Sequence, residues 1–142
     1  MKSHGKQKRS APSSGRESQS FSLKARIGSF RYAFRGLRLL IAKEHNAWIH
    51  SLATVGVIVL GVYFDITEFE WCALIFAMGL VWAAEALNTA IEYLADAVSP
   101  ERNERVGQAK DLAAAGVLLA AIAALFIGLL VLGPYVTDWL AG

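Results

Sequence analysis

The sequence predicts an all-α polytopic membrane protein with three transmembrane helices and an N-terminal amphipathic surface helix. Of the 142 residues, 55% are hydrophobic and only 18% are charged, and the mean hydropathy is +0.40. Soluble domains contain about 25% charged residues. Three apolar segments have lengths near the roughly 20 residues that are needed to cross hydrocarbon. All 14 lysines and arginines lie outside these segments, either before residue 44 or between residues 102 and 110.

The N-terminal part of the chain has two sections. Residues 1–20 are polar, rich in serine, glycine and cations, and offer nothing to bury, so they predict a disordered basic tail. Residues 21–44 alternate apolar and basic side chains at helical spacing. This pattern predicts a surface helix that lies in the membrane interface, where its cations meet anionic headgroups. A single domain is expected over residues 21–142.

The predicted transmembrane segments are residues 47–64, 69–95 and 112–133. The first two are separated by a short turn and should form a helical hairpin. A charged loop, residues 96–111, joins the second to the third. Because cytoplasmic loops are enriched in lysine and arginine, the N-terminus and this loop are both expected in the cytoplasm. Three tryptophans are candidate anchors at the membrane interfaces: Trp48, Trp71 and Trp139.

Four polar residues lie in the second half of the second apolar segment or directly after it: Glu85, Asn88, Glu92 and Asp96. On a helix, Glu92 and Asp96 each fall about 20° from Glu85, and Asn88 falls about 60° from it. They therefore form one polar stripe. A carboxylate at the centre of a bilayer costs roughly 2.5–3.5 kcal/mol on insertion scales, so a stripe of this kind is expected to have a function.

The residues alone leave several functions open for the stripe. Intramembrane carboxylates serve proton relays, structural hydrogen-bonded pairs and catalysis. Glu44, Lys110 and Asp111 are expected at the same membrane level, and oxygen ligands with a cation suit Mg²⁺ and polyphosphate. His50 has no second histidine or cysteine at ligand spacing, so zinc is disfavoured, and no Walker A pattern occurs. The apolar segments argue for lipid and against nucleic acid.

A longer motif adds a resemblance. The string Glu85-Ala-Leu-Asn-Thr-Ala-Ile-Glu92, followed by Asp96 and by Lys110-Asp111, resembles the prokaryotic diacylglycerol kinase family, which includes undecaprenol kinases. The resemblance covers about residues 24–135. It implies a small homotrimeric enzyme of the bacterial inner membrane with active sites between protomers. Such enzymes transfer the γ-phosphoryl group of ATP, with Mg²⁺, to a lipid alcohol such as diacylglycerol or undecaprenol.

The resemblance also implies roles for individual residues. Glu85 would be the catalytic base, Glu44 and Glu92 would hold Mg²⁺, and Asn88 and Asp96 would support the active site. Rival functions are a small ion-coupled transporter or proton-conducting subunit, and a non-catalytic assembly protein. The residues that the resemblance assigns to ATP binding are Tyr32, Glu44, Glu92, Glu101, Asn103, Lys110 and Asp111.

Overall fold

Four helices make up the structure, which is a computed structural model describing residues 23–43, 45–99, 101 and 103–142. The described residues contain no strand, so the predicted all-α class is confirmed. Helices α2, α3 and α4 are each long and apolar enough to cross a membrane, as predicted. The predicted tail, residues 1–20, lies outside the described residues. The helices are α1 (Leu23–Lys43), α2 (His45–Tyr63), α3 (Glu68–Val98) and α4 (Glu104–Ala141).

A tight turn reverses the chain between α2 and α3. Asp65 adopts a left-handed backbone conformation, with φ at 51°, which aspartate tolerates better than most residues. Thr67 then caps α3: its hydroxyl accepts from the backbone N–H of Glu70, and the Glu70 carboxylate accepts from the backbone N–H of Thr67. The same carboxylate also accepts a hydrogen bond from the Tyr135 hydroxyl at 2.9 Å. The turn is therefore fixed to the far end of α4.

The most extensive helix contact is the antiparallel pair α3 and α4. Its core lies at the turn end of the bundle, which we define as the end that contains residues 64–67. Ile66, Leu74 and Leu132 are buried there, and Trp71 and Tyr135 pack against them. Helix α2 makes fewer contacts with α3 and α4, and α1 is attached through the buried side chain of Leu40.

Large apolar side chains cover the outside of the bundle. Leu52 on α2, Phe69 on α3 and Leu130 on α4 are all more than 70% exposed. Soluble monomers rarely expose contiguous apolar surface on this scale. Lipid or neighbouring protein must therefore surround the three long helices.

The connection between α3 and α4 is shorter than predicted. The expected loop, residues 96–111, is helical at both ends, because α3 continues to Val98 and α4 already begins at Glu104. Asn103 caps α4, with its side-chain oxygen accepting from the backbone N–H groups of Arg105 and Val106. Hydropathy marks where hydrocarbon begins, whereas the capping residue marks where the helix begins. For that reason the sequence placed the start of α4 too late.

Gly61 gives a test of the hairpin packing. A Cβ atom there would lie 2.7 Å from the Trp71 side chain and 3.1 Å from that of Ile66. The Gly61→Ala variant should therefore lower the free energy of unfolding by about 1–3 kcal/mol, the usual cost of overpacking. The measurement is thermal unfolding of the purified protein in detergent. Gly56→Ala is the matched control, since nothing lies within 4 Å of its Cβ position. Equal stability of the two variants would contradict the packing described.

Candidate active site

The polar stripe continues the buried face of α3. Leu74, Ala77 and Val81 bury this face in the half of α3 near the turn, and Glu85 and Asn88 continue it at the same three- and four-residue spacing. The face that supplies apolar core in one half of the helix thus supplies carboxylate and amide groups in the other. The predicted stripe is present as a structural feature of the helix.

The position of Glu85 along α3 sets its depth in a membrane. Glu70 belongs to the hydrogen-bonded turn end, which must lie outside hydrocarbon, and Glu85 follows it by 15 residues. At 1.5 Å per residue this separation is about 22 Å, against a hydrocarbon thickness of about 30 Å. Glu85 therefore lies near the opposite boundary of the hydrocarbon, and Glu92 lies at or beyond it. The stripe crosses from acyl chains to headgroups.

Among the residues that the structure describes, Glu85 is the most buried polar side chain, with 1% of its surface exposed. Its Oε2 atom lies 4.0 Å from Nε2 of His50 on α2, within the range of an ion pair when the imidazole is protonated. The sequence disfavours His50 as a zinc ligand and predicts no role for it in the site. The hairpin in the sequence could have indicated this pairing. His50 lies 13 residues before the end of α2, and Glu85 lies 17 residues after the start of α3. Their depths therefore differ by about one helical turn.

Asn88 and Glu92 form the next layer of the stripe. The Asn88 amide donates to Glu92 Oε1 at 3.1 Å, which fixes the orientation of the half-buried carboxylate. Two buried oxygens of this layer, Asn88 Oδ1 and Thr89 Oγ1, have no hydrogen-bond partner among the described residues. Carboxylate, amide and hydroxyl oxygens are the ligands that Mg²⁺ accepts. The donor set therefore fits a hard divalent cation together with its water or phosphate ligands.

Asp96 and Lys110 close the stripe at its exposed end. Lys110 Nζ donates to Asp96 Oδ1 at 3.0 Å and joins α3 to α4. The pair is solvent-exposed, so it adds little to stability. Its importance is positional, because it places an ammonium group in the same layer as the acidic stripe, as the sequence analysis expected.

The structure does not bring the other predicted site residues together as it does the residues of the stripe. Tyr32 on α1 is 65% exposed, and its ring packs beside the Arg31 guanidinium. Glu101, Asn103 and Asp111 are exposed, with Asn103 engaged as the cap of α4. Glu44 lies outside the described residues. Within the described part of the chain, no three histidine, cysteine or acidic side chains converge as a metal site.

An apolar cavity of about 580 Å³ opens between α2, α3 and α4. His50 and Thr54 lie in its wall, and its lining continues along α4 from Ala121 to Thr137. Apart from these few polar groups the wall is aliphatic. Because His50 also faces Glu85, the cavity reaches the buried end of the polar stripe.

Comparison with known proteins gives concordant matches. The profile of the prokaryotic diacylglycerol kinase family matches residues 31–132, which include every described site residue. An undecaprenol kinase of Bacillus subtilis is 32% identical over 75% of this chain and 86% of its own length. A diacylglycerol kinase of Synechocystis is 39% identical over 70% of this chain and 58% of its own. A diacylglycerol kinase of Escherichia coli is 33% identical over 66% of this chain and 76% of its own.

The contact between Asp96 and Lys110 can be tested by crosslinking. In a Cys72→Ser background, Asp96→Cys combined with Lys110→Cys should react with a short bismaleimide to give an intramolecular link. The control pairs Asp96→Cys with Asp138→Cys, at the opposite end of α4, and should give no such link. Intact-protein mass spectrometry under denaturing conditions measures the product. A link in the control pair, with none between positions 96 and 110, would contradict the contact between Asp96 and Lys110.

Proposed function

The chain belongs to the prokaryotic diacylglycerol kinase family and is a lipid kinase, and we propose that it transfers the γ-phosphoryl group of MgATP to the hydroxyl of a membrane lipid alcohol. The observation that supports this reaction most strongly is the continuous stripe from buried Glu85 to solvent-exposed Asp96. One end of the stripe lies at the depth of a lipid hydroxyl, and the other lies in the aqueous phase.

The proposed orientation follows from charge. The N-terminal region and residues 102–110, which comprise the end of the α3–α4 connection and the first turns of α4, contain all the lysines and arginines, so both are assigned to the cytoplasm of a bacterial inner membrane. ATP then approaches from the side of Asp96 and Lys110. Lys110 neutralises phosphate charge, as a lysine does in other phosphoryl-transfer sites. Tyr32, Glu101, Asn103 and Asp111 are proposed contacts to the nucleotide.

Glu85 is the proposed general base. Its carboxylate accepts the proton of the lipid hydroxyl as the hydroxyl oxygen attacks the γ-phosphorus and the bond to the β-γ bridging oxygen breaks. ADP leaves on the aqueous side, and the lipid phosphate stays in the membrane. A buried carboxylate is suited to this role because the surrounding protein excludes water, which would otherwise compete as the nucleophile.

Glu92 and Glu44 are the proposed magnesium ligands. Asn88 orients the Glu92 carboxylate through the 3.1 Å hydrogen bond and presents its unpartnered Oδ1 to the same layer. When bound, Mg²⁺ would supply charge neutralisation for the phosphate oxygens. Along the helix, Glu92 lies about 10 Å from Glu85, which separates the proposed phosphate layer from the proposed base.

The lipid tail is proposed to occupy the apolar cavity. The cavity volume of about 580 Å³ lies within the roughly 300–1,000 Å³ range of single-ligand sites. Its aliphatic wall suits a hydrocarbon chain, and His50 connects it to Glu85, so a lipid in the cavity presents its hydroxyl to the base. Diacylglycerol and undecaprenol both offer a primary hydroxyl and are both candidate substrates.

A homotrimer is the proposed assembly. The Glu92–Asp96 half of the stripe is only partly enclosed by the protomer, and large apolar side chains remain exposed on all three long helices. Neighbouring protomers would cover part of this surface and complete the active sites between subunits.

Glu85→Gln tests the proposed base. The amide cannot take the hydroxyl proton, so turnover should fall by about 10²–10⁴-fold, the usual contribution of general-base catalysis. The measurement is transfer of label from [γ-³²P]ATP to diacylglycerol and to undecaprenol in mixed micelles. Glu68→Gln, an equivalent change at the exposed start of α3, should leave turnover unchanged. Full activity of Glu85→Gln would remove Glu85 from the reaction. A wild type that conducts protons and leaves labelled ATP untouched would favour the transporter instead.

Gly128→Leu tests the proposed tail site. Gly128 lines the cavity, and nothing lies within 4 Å of its Cβ position, so a leucine side chain can extend into the cavity from there. The KM for a long-chain lipid alcohol should rise about tenfold, since about 1–3 kcal/mol of apolar burial is lost, while the KM for ATP stays constant. Gly56→Leu, on α2 outside the cavity, is the control. Loss of oligomer in Gly128→Leu would instead identify the cavity as a contact between protomers.

A further inference from the structure

We propose that His50 is a positioning residue for the reaction, holding the Glu85 carboxylate in the orientation that receives the substrate proton. The inference rests on the proposed lipid kinase function and adds a residue from α2 to a site whose other described residues lie on α1, α3, α4 and the α3–α4 connection. It follows from the 4.0 Å approach of His50 Nε2 to Glu85 Oε2.

The environment of His50 supports this role. The other polar side chains on this part of α2 are engaged elsewhere: the Ser51 hydroxyl donates to Ala47 O at 2.7 Å, and Thr54 Oγ1 accepts from Trp82 Nε1 at 3.1 Å. The His50 imidazole faces the Glu85 carboxylate directly. Both side chains are largely enclosed, at 17% and 1% exposure.

A glutamate side chain does not by itself fix the position of its carboxylate, because three torsion angles separate the carboxylate from the backbone. A contact from a second helix restricts those torsions. The effect matters for catalysis, since a misplacement of about 1 Å at a reacting group can cost on the order of 10²-fold in rate. His50 also lies in the wall of the apolar cavity, so it is placed between the proposed lipid tail and the base.

Two amide variants of His50 distinguish the role of its Nε2 atom from that of its Nδ1 atom. A glutamine side chain can place its amide nitrogen near the position of Nε2, the atom that faces Glu85, whereas the shorter asparagine reaches only the region of Nδ1. His50→Gln should therefore keep kcat within a few-fold of wild type. His50→Asn should lower kcat on the order of 10²-fold, with the KM values for ATP and lipid unchanged. A role in packing alone would act through stability, which thermal unfolding of both variants measures, and gives no reason for kcat to fall while both KM values stay constant.

Ser51→Ala is the matched control. It removes the polar side chain next to His50 on α2, whose hydroxyl donates to Ala47 O, and it touches neither Glu85 nor the cavity wall. Its kcat should stay at the wild-type value. Should His50→Asn fail to fold, His50→Ala with added imidazole replaces it, and imidazole is expected to restore part of the lost rate.

The outcomes distinguish a failure of the proposed role of His50 from a failure of the proposed lipid kinase reaction. Equal kcat in the glutamine and asparagine variants overturns the role of His50, as does a change confined to the lipid KM or an alanine variant that imidazole does not restore. A wild-type protein that phosphorylates neither diacylglycerol nor undecaprenol overturns the proposed function and, with it, this inference. A kcat loss in His50→Asn that His50→Gln avoids supports both.

Discussion

The structure depends on one constraint: carboxylates within a membrane helix must be confined to a single face and must lie toward one boundary of the hydrocarbon. Glu85 is almost fully enclosed, yet it lies one turn beyond the purely apolar Val81. A charge in that position is costly unless neighbouring groups pair with it and solvent or a cation lies close by. The neighbours described here meet this condition in order, with His50 beside Glu85, Asn88 beside Glu92 and Lys110 beside Asp96.

This constraint explains the unequal packing of the bundle. The turn end, with its apolar core and its Glu70–Tyr135 hydrogen bond, fixes α3 against α4. The opposite half of α3 gives up apolar packing for polar side chains. The cavity runs from His50 into the turn half, where Leu74 and Leu132 of the core also line it. The turn half thus contains both the packed core and the space proposed for a lipid tail, and the opposite half presents polar groups to a solute. Family membership agrees with this division, since a lipid kinase must bring together two substrates from different phases.

Much of this arrangement could be predicted from the sequence. Length and hydropathy predicted the three long helices, and the three- and four-residue spacing of Glu85, Asn88 and Glu92 predicted the stripe. The start of α4 within the 96–111 segment was harder to predict. The capping by Asn103 depends on local backbone geometry, which hydropathy does not report. The pairing of His50 with Glu85 depends on the register between α2 and α3. At the turn end, the absence of a side chain at Gly61 lets Trp71 pack closely against α2, and no helical periodicity encodes that approach. Glu44 lies outside the described residues, so its predicted role as a metal ligand stays a prediction.

The central claim is that a water-soluble nucleotide and a membrane-anchored alcohol meet at this one boundary. The most direct measurement uses proteoliposomes with a single cysteine, Gln108→Cys, which lies exposed near the start of α4, in a Cys72→Ser background. An impermeant maleimide reports which fraction of the protein has the α3–α4 connection facing outward. MgATP supplied only outside should produce lipid phosphate in proportion to that fraction. Turnover that instead follows the fraction with residues 64–67 facing outward would place the nucleotide at the wrong end of the helices and contradict the account.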